Sequence, residues 1–256
     1  MSAAPRIVSL VPSLTELLFA LGLGGHVVGR TGFCVHPRDA VRAVPKVGGT
    51  KTVDVDAVIA LRPTHLVVNV DENEKPTVER LAEHVPNVIV THPLVATDNL
   101  ALYERFGQAF DRAPEAARLS AALSEALAEV EAGQWAPIEV IYLIWKDPWM
   151  TVSSDTYIAD MLSRVGLRTI GPGGDRRYPE IDWAALPPTR AGLVLFSSEP
   201  YMFRERHARE FAREHGLDPG RCLTIDGEMT SWYGPRAIEG LRYLKRLREA
   251  VDARAA

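Results

Sequence analysis

The sequence predicts an α/β protein of two Rossmann-like lobes, each with a central, mainly parallel sheet, joined by a long interlobe helix. Three observations predict it. Short apolar runs of strand length alternate with helically spaced segments from the start of the chain, the pattern of parallel strands covered by helices. Between Thr97 and Ala132 the alternation stops and only helical spacing remains. It then resumes to the end. These changes divide the chain into a first α/β lobe at residues 1–96, a linking helix at 97–134 and a second α/β lobe at 135–256.

In the first lobe, Arg6–Val11 (RIVSLV) reads as a buried strand. Ser13 and Glu16 match a capping box, in which the serine oxygen takes an early backbone N–H and the glutamate reaches back. The helix so begun carries Leu17, Leu18 and Leu21 and ends at Gly22 or Gly24. Val27–Arg30, His65–Val70 and Asn87–His92 read as further strands, with helical spacing over Val53–Leu61 and Glu74–His84. In the linking segment Leu102, Phe106 and Phe110 recur every fourth residue, as do Leu119, Leu123 and Leu127, with Pro114 placed to kink or restart the helix. An unbroken helix of ~30 residues there would be ~45 Å long. The second lobe offers strands at Glu139–Trp145, Met150–Ser154, Gly192–Ser198 and Cys222–Asp226. Its helices fall near Thr156–Val165, at Arg204–His215 and from Pro235 to about Val251, where proline suits a first turn.

Composition narrows the function classes. The 256 residues carry 29 basic and 33 acidic side chains, a net charge of −4, which argues against a general nucleic-acid binder. Two cysteines far apart in sequence make no disulfide framework and suit a reduced compartment. The most apolar window, Ile7 to Leu23, is interrupted by Pro12, Ser13, Thr15 and Glu16, so it fits neither a membrane span nor a signal peptide. The expectation is a cytoplasmic location as the sequence stands, or a periplasmic or surface-associated one if a leader has been removed.

Several motifs resolve to structure. The glycines of GLGGHVVG (22–29) follow a helix and precede a strand, the reverse of a dinucleotide fingerprint, and so end a helix. Gly171-Pro-Gly-Gly174 lacks the lysine and hydroxyl of a phosphate loop and reads as a turn, and Glu205, His207 and Glu210 as a solvated helix face. Cys34-Val35-His36 is different, because it follows a strand and lies where open α/β sheets bind ligands. Thiolate and imidazole are both soft-metal ligands. The pair reads either as a metal contact or as a buried thiol beside a capped histidine. Trp145, Trp149, Tyr178, Tyr201, Phe203, Trp232 and Tyr233 cluster where the second lobe's loops should be, and most fall beside proline or glycine, as loop aromatics would. They read either as walls of a cleft for a large flat ligand or as loops packed onto the core.

The opening VSLVPSLTELLFALG, followed by PKVGG, DVDAVIALRPTHLVV, a long helix and a late WYGPR, resembles the helical-backbone metal-receptor superfamily. These are the cobalamin- and siderophore-binding proteins of ABC importers, class III periplasmic-binding-protein-like in fold. The resemblance covers nearly the whole chain. It implies two lobes facing across a shallow cleft with little hinge closure. It also implies that Phe33 takes the place of a cleft aromatic, Tyr178 that of a second-lobe tryptophan, and Glu228 that of a cleft aspartate. Thr50 replaces a tryptophan wall, His36 a tyrosine and Cys34 a serine, so the site is similar in place and different in chemistry. Asp56 takes the place of the first lobe's transporter-docking acid. At the second lobe's docking position stand Trp183 or Ala184, with Asp182 close by.

The resulting expectation is a non-enzymatic, monomeric receptor for a metal chelate of corrinoid, haem or siderophore type, with no intrinsic cofactor and an ABC importer as partner. Phe33, Thr50, Trp149, Tyr178, Trp232 and Tyr233 would line the ligand, Glu228 would anchor it, and Cys34 and His36 would contact metal. Helix N-termini near Ser13 and Asp155 would favour an anionic ligand. Two rival readings are a cytoplasmic chelatase-like or cofactor-handling enzyme on the same fold, and a scaffold whose aromatic loops meet another protein.

Overall fold

The computed structural model describes residues 4–255. The chain divides into two compact units. The first takes the chain up to Pro93, then 97–122 and 233–235. The second takes 94–96, 123–232 and 236 onward.

The first unit holds a four-stranded parallel sheet in the order β2-β1-β3-β4, with β1 at Ile7–Ser9, β2 at Val27–Arg30, β3 at His65–Asn69 and β4 at Asn87–Thr91. The strand runs named from sequence are all present, trimmed by a residue or two at their ends. Val8, Leu10, Leu66 and Val68 pack with Val47, Val58, Leu81 and Val85 from the connections and helices on one face. Helix α1 spans Pro12–Ala20 and buries Leu14, Leu17 and Leu18. The expected capping box does not form. Pro12 takes the first turn, where a missing N–H costs nothing, so Val11 stands at the cap and Ser13 is already inside the helix. A short helix α2 (Arg38–Val41) follows β2. Helix α3 (Val55–Ala60) is capped by Asp54, whose Oδ1 accepts from the Ala57 N–H at 2.9 Å, and α4 spans Lys75–Ala82.

The linking segment is two helices, not one. Helix α5 spans Asp98–Ala109 and α6 spans Ala113–Glu131. Asp111 turns the chain at φ +54°. Pro114 explains the break, since its ring would collide with the carbonyl four residues back in a continuous helix. Gly107 lets the two helices close on each other, because a Cβ there would stand 2.7 Å from the Ala116 Cβ. The 19 residues of α6 reach about 28 Å, well short of the length expected of one helix. The change of unit falls inside α6, between Ala122 and Leu123.

The second unit holds a five-stranded sheet. Strand β5 (Ile138–Trp145) pairs in parallel with β8 (Leu193–Ser197), which pairs in parallel with β9 (Cys222–Ile225). On its other side β5 pairs antiparallel with β6 (Met150–Thr151) and parallel with β7 (Leu167–Thr169). Strand β7, three residues long and carrying Arg168, shows no period in the sequence. Helix α7 (Tyr157–Ser163) is capped by Thr156 rather than Asp155, α8 spans Glu205–Glu214, and α10 spans Arg236–Ala255. A further short helix, α9 (Gly227–Ser231), is capped by Asp226 directly after β9.

Candidate functional site

Parallel strands send all their carboxyl ends to one edge of a sheet, and open α/β sheets bind ligands there. The large apolar side chains left exposed in this protein concentrate at those edges. In the first unit they are Phe33 (62% exposed) and Val35 after β2, and Val70 after β3. In the second unit they are Trp145 at the end of β5, Met202 (63% exposed) after β8, and Tyr178 in the loop between β7 and β8. Val90 on β4 is the one large exposed apolar residue away from such a loop among those described.

In the first unit, alternation along the loop after β2 explains the display. Cys34 is fully buried; its thiol donates to the Ser9 carbonyl and lies 3.0 Å and 3.2 Å from the hydroxyls of Thr15 and Thr31. Anchoring Cys34 inward turns its neighbours Phe33 and Val35 outward. Burial raises the thiol pKa, so the sulfur stays protonated and enclosed. Cys34 is therefore corrected from a metal contact to the buried thiol of the alternative reading. His36, two residues on, is half-buried. The Phe33 ring lies over Gly49, where a Cβ would come within 3.3 Å of its Cε2.

Asn73 fixes the floor of this edge. Its side-chain amide donates to the carbonyls of Leu10 and Thr50 at 3.3 Å and 3.1 Å, and its Oδ1 accepts from the Asn69 N–H. Thr50 thus enters through its backbone, tying the loop before α3 to the ends of β1 and β3. Beside it His92 Nε2 stands 3.5 Å from Asp71. Tyr233 packs in this unit too, buried, with its hydroxyl donating to Glu72 Oε1 at 2.7 Å. Burial and the Glu72 charge hold the Tyr233 pKa well above its ordinary value. The following Gly234 is fastened on both sides, its N–H donating to Asn99 and its carbonyl accepting from Tyr103.

In the second unit the aromatic residues part company. Trp149 stacks on Phe203 at 5.9 Å and meets Trp183 and Phe211 edge-on, covering the core of Ile141, Leu143, Val194 and Phe196. It is partly buried and packs on this core, as the alternative reading of the loop aromatics expects. Trp232 is also buried: its Nε1 donates to Glu199 Oε1 at 2.7 Å, and the Arg236 guanidinium lies 5.1 Å over its ring. Trp232 and Tyr233, expected to line the ligand, are both buried and each donates a hydrogen bond to an acid. Trp145 remains exposed, edge-on to Tyr201 at 5.6 Å. Tyr178 is displayed by a loop pinned on both sides, with Arg177 and Pro179 accepting from the Ser153 and Thr151 N–H groups.

Two carboxylates stand at this edge in different states. Glu228 pairs with Arg236 at 3.3 Å. Glu199, directly after β8, has no cationic partner among the described residues. Its Oε1 accepts from Ser231 Oγ at 2.8 Å and from Trp232, and burial nevertheless pushes its carboxyl above the usual carboxylate range. Gly227 makes room for it, since a Cβ there would stand 2.4 Å from Glu199 Cγ. Sequence reasoning missed Glu72 and Glu199. Their one signal was position, each within three residues of the carboxyl end of a predicted parallel strand.

Asp56 lies on the first turn of α3, 89% exposed at its side chain and 3.5 Å from Arg80. In the second unit Trp183 packs against Phe211 and His215, Ala184 is exposed, and Asp182 accepts from the Ala184 N–H. Among the described residues no three His, Cys, Asp or Glu side chains come together as a metal site, and no helix is long and apolar enough to cross a membrane.

Comparison with known proteins agrees with this architecture. A vitamin B12-binding protein of Photorhabdus laumondii is 27% identical over 184 residues, 70% of this chain and 66% of that protein, so the chain spans just under two thirds of it. Among solved structures, the periplasmic vitamin B12 binding protein BtuF of Vibrio cholerae superposes with a TM-score of 0.82 at 16% identity, over 97% of this chain and 98% of that one. The periplasmic heme-binding protein RhuT of Roseiflexus sp. RS-1 gives 0.80 at 21% identity, over 98% and 99%. At these identities the structures show a shared fold. The periplasmic binding protein family matches residues 7–218, most of the sequence, and the chain belongs to that family.

Proposed function

We propose that this protein is a substrate-binding protein that takes a metal chelate, of corrinoid, haem or siderophore type, at loops that follow its parallel strands and hands it to an ABC importer. One observation carries the reading. Phe33, Val35, Val70, Trp145, Tyr178 and Met202 leave large apolar surface at the loops where this fold binds ligands. Exposed aromatic surface of that kind suits the faces of a broad, flat ligand. In this reading the metal arrives inside its own chelator. His36, half-buried on the same loop as Phe33, is the side chain suited to add one further ligand to it.

The relatives are binding proteins for B12 and for haem, which supports a receptor over a chelatase-like enzyme. Asp56, exposed at the start of α3, supports docking to the importer through the first unit. The second unit presents Ala184 or Asp182 in the corresponding segment, so docking there would rest on Asp182. The two structural neighbours are described as periplasmic, and we place the protein's work on the outer side of the importer's membrane. The test is a binding panel of cobinamide, cobalamin, haem and ferric siderophores followed in the visible region. Saturable one-to-one binding of one of them supports the reading, and a panel without binding overturns it.

A further inference from the structure

Three cations of the second unit, Lys146 after β5 and Arg204 and Arg206 at the start of α8, stand beside the exposed Trp145 and Met202. None of the three has an ion pair with a described acid. They gather around His207. Burial and the positive charges of Arg206, Lys146 and Arg204 lower its pKa, against an opposing effect of Glu210. His207 packs on Tyr201 at 5.8 Å and Tyr201 on Trp145 at 5.6 Å, so the cations border a continuous aromatic surface. Arg204 also reaches Met202, with Nη2 3.5 Å from the sulfur.

Arg204 lines an open cavity of about 370 Å³ together with Ser198 and Tyr243. Backbone donors already hold both hydroxyl oxygens there. Ser198 Oγ accepts from the Gly227 N–H and the Tyr243 hydroxyl from the Asp226 N–H, each at 2.9 Å. Their own hydrogens meet no acceptor among the described residues. Burial raises the Tyr243 pKa, so this hydroxyl stays a donor. The acids of the lining are engaged: Asp226 caps α9 through the Met229 N–H, and Glu205 pairs with Arg209 at 3.2 Å. Glu199, next along the chain from Ser198, is held by Ser231 and Trp232 and is not part of the lining.

From this arrangement we propose that the cavity is a subsite for an oxyanion of the bound chelate, a carboxylate or a phosphate, with Arg204 as its cation and Ser198 and Tyr243 as its hydroxyl donors. The inference rests on the chelate-binding reading and narrows its ligand to one that carries such a group. A guanidinium offers paired N–H groups that match two oxygens of either anion. Each hydroxyl is fixed beforehand by the backbone N–H it accepts, so donating its hydrogen costs little further ordering. Lys146 and Arg206 add longer-range attraction, which salt screens. A neutral amide periphery can use the hydroxyls but gains little from the charges.

The experiment titrates the full chain at pH 7.5 with haem, whose periphery carries two carboxylates, with cobalamin, whose nucleotide carries a phosphate, and with cobinamide, which lacks that nucleotide. Haem or cobalamin is expected to bind about tenfold or more tightly than cobinamide, and the preferred one identifies the oxyanion as carboxylate or phosphate. Arg204→Gln should weaken the preferred chelate about five- to tenfold, the loss expected of a charge-assisted hydrogen bond, and cobinamide by less than about twofold. Arg204 is exposed, so thermal melts of variant and wild type should coincide. Lys146→Gln combined with Arg206→Gln should flatten the fall in affinity between about 50 and 300 mM salt, which a structural role would leave alone. Cobinamide bound as tightly as haem and cobalamin, a preference unmoved by Arg204→Gln, or binding of a siderophore alone overturns this inference and leaves the proposed function standing. Binding of no chelate overturns both.

Discussion

Replacing Phe33 with alanine separates a ligand wall from a structural residue. The ring is 62% exposed in the free protein, so folding has already gained the smaller part of its burial. Covering a whole phenylalanine side chain is worth about 1.5–3 kcal/mol, and a ligand covering the remaining fraction would gain about 1–2 kcal/mol. Phe33→Ala should therefore weaken the chelate that binds wild type by about 5- to 30-fold. Folding has gained the other fraction, so stability should fall by about 1 kcal/mol at most, a shift of about 2–4 °C for a chain of this size. Isothermal titration and a melting curve on the same preparations read both effects. Affinity unchanged within a factor of about two, together with a melting point lower by more than about 6 °C, would show that the ring serves the loop and not the ligand.

Other expectations follow from the same geometry. Trp149→Ala should destabilise the protein by about 3 kcal/mol, because it empties the layer of Phe203, Trp183 and Phe211, and should leave affinity within about twofold. Urea denaturation and titration read the two effects separately. Cys34 should resist a thiol reagent at pH 8 in the folded protein and react once urea exposes it, since it is enclosed with its pKa raised by burial. Fast labelling of the native protein at Cys34 would contradict that placement. Glu199→Gln should raise the melting point of the ligand-free protein at pH 7. Burial raises the folded-state pKa of Glu199 above the unfolded value near 4.5, so the ionised group costs stability above the folded pKa. That cost falls away as pH drops through the folded pKa towards 4.5. The melting points of variant and wild type should therefore converge in acid, and a gap that widens there would reverse the sign.

The strands of both units were legible in the sequence because parallel strands buried on both faces leave continuous apolar runs, such as HLVVN at His65–Asn69 and LVLFS at Leu193–Ser197. Short elements were not. Strand β7 and helix α9 have three and five residues, too few for any period to show, and both exist because neighbouring chain holds them. The break in the linking segment was legible in Pro114 alone, placed to kink or restart the helix, because Leu102–Phe110 and Leu119–Val130 keep helical spacing on either side of it. At the candidate site, position after a strand picked out Phe33, and burial separated it from Cys34. Trp149, Trp232 and Tyr233 share the same proline- and glycine-rich company as Tyr178 in sequence. Only packing shows that Trp149 covers a core and that Trp232 and Tyr233 hold carboxylates. Glu72 and Glu199 were invisible because one acid in a loop looks like any other.

The most direct test is a visible-region titration of the full chain with cobinamide, cobalamin, haem and ferric siderophores, repeated with Phe33→Ala and His36→Ala. A receptor working through these loops should saturate with one molecule of at least one chelate per chain. Phe33→Ala should then weaken that binding about 5- to 30-fold. A spectral change lost in His36→Ala would add the histidine as a ligand to the metal. No saturable binding by any chelate would contradict the account, leaving the periplasmic binding protein fold without the function proposed for it here.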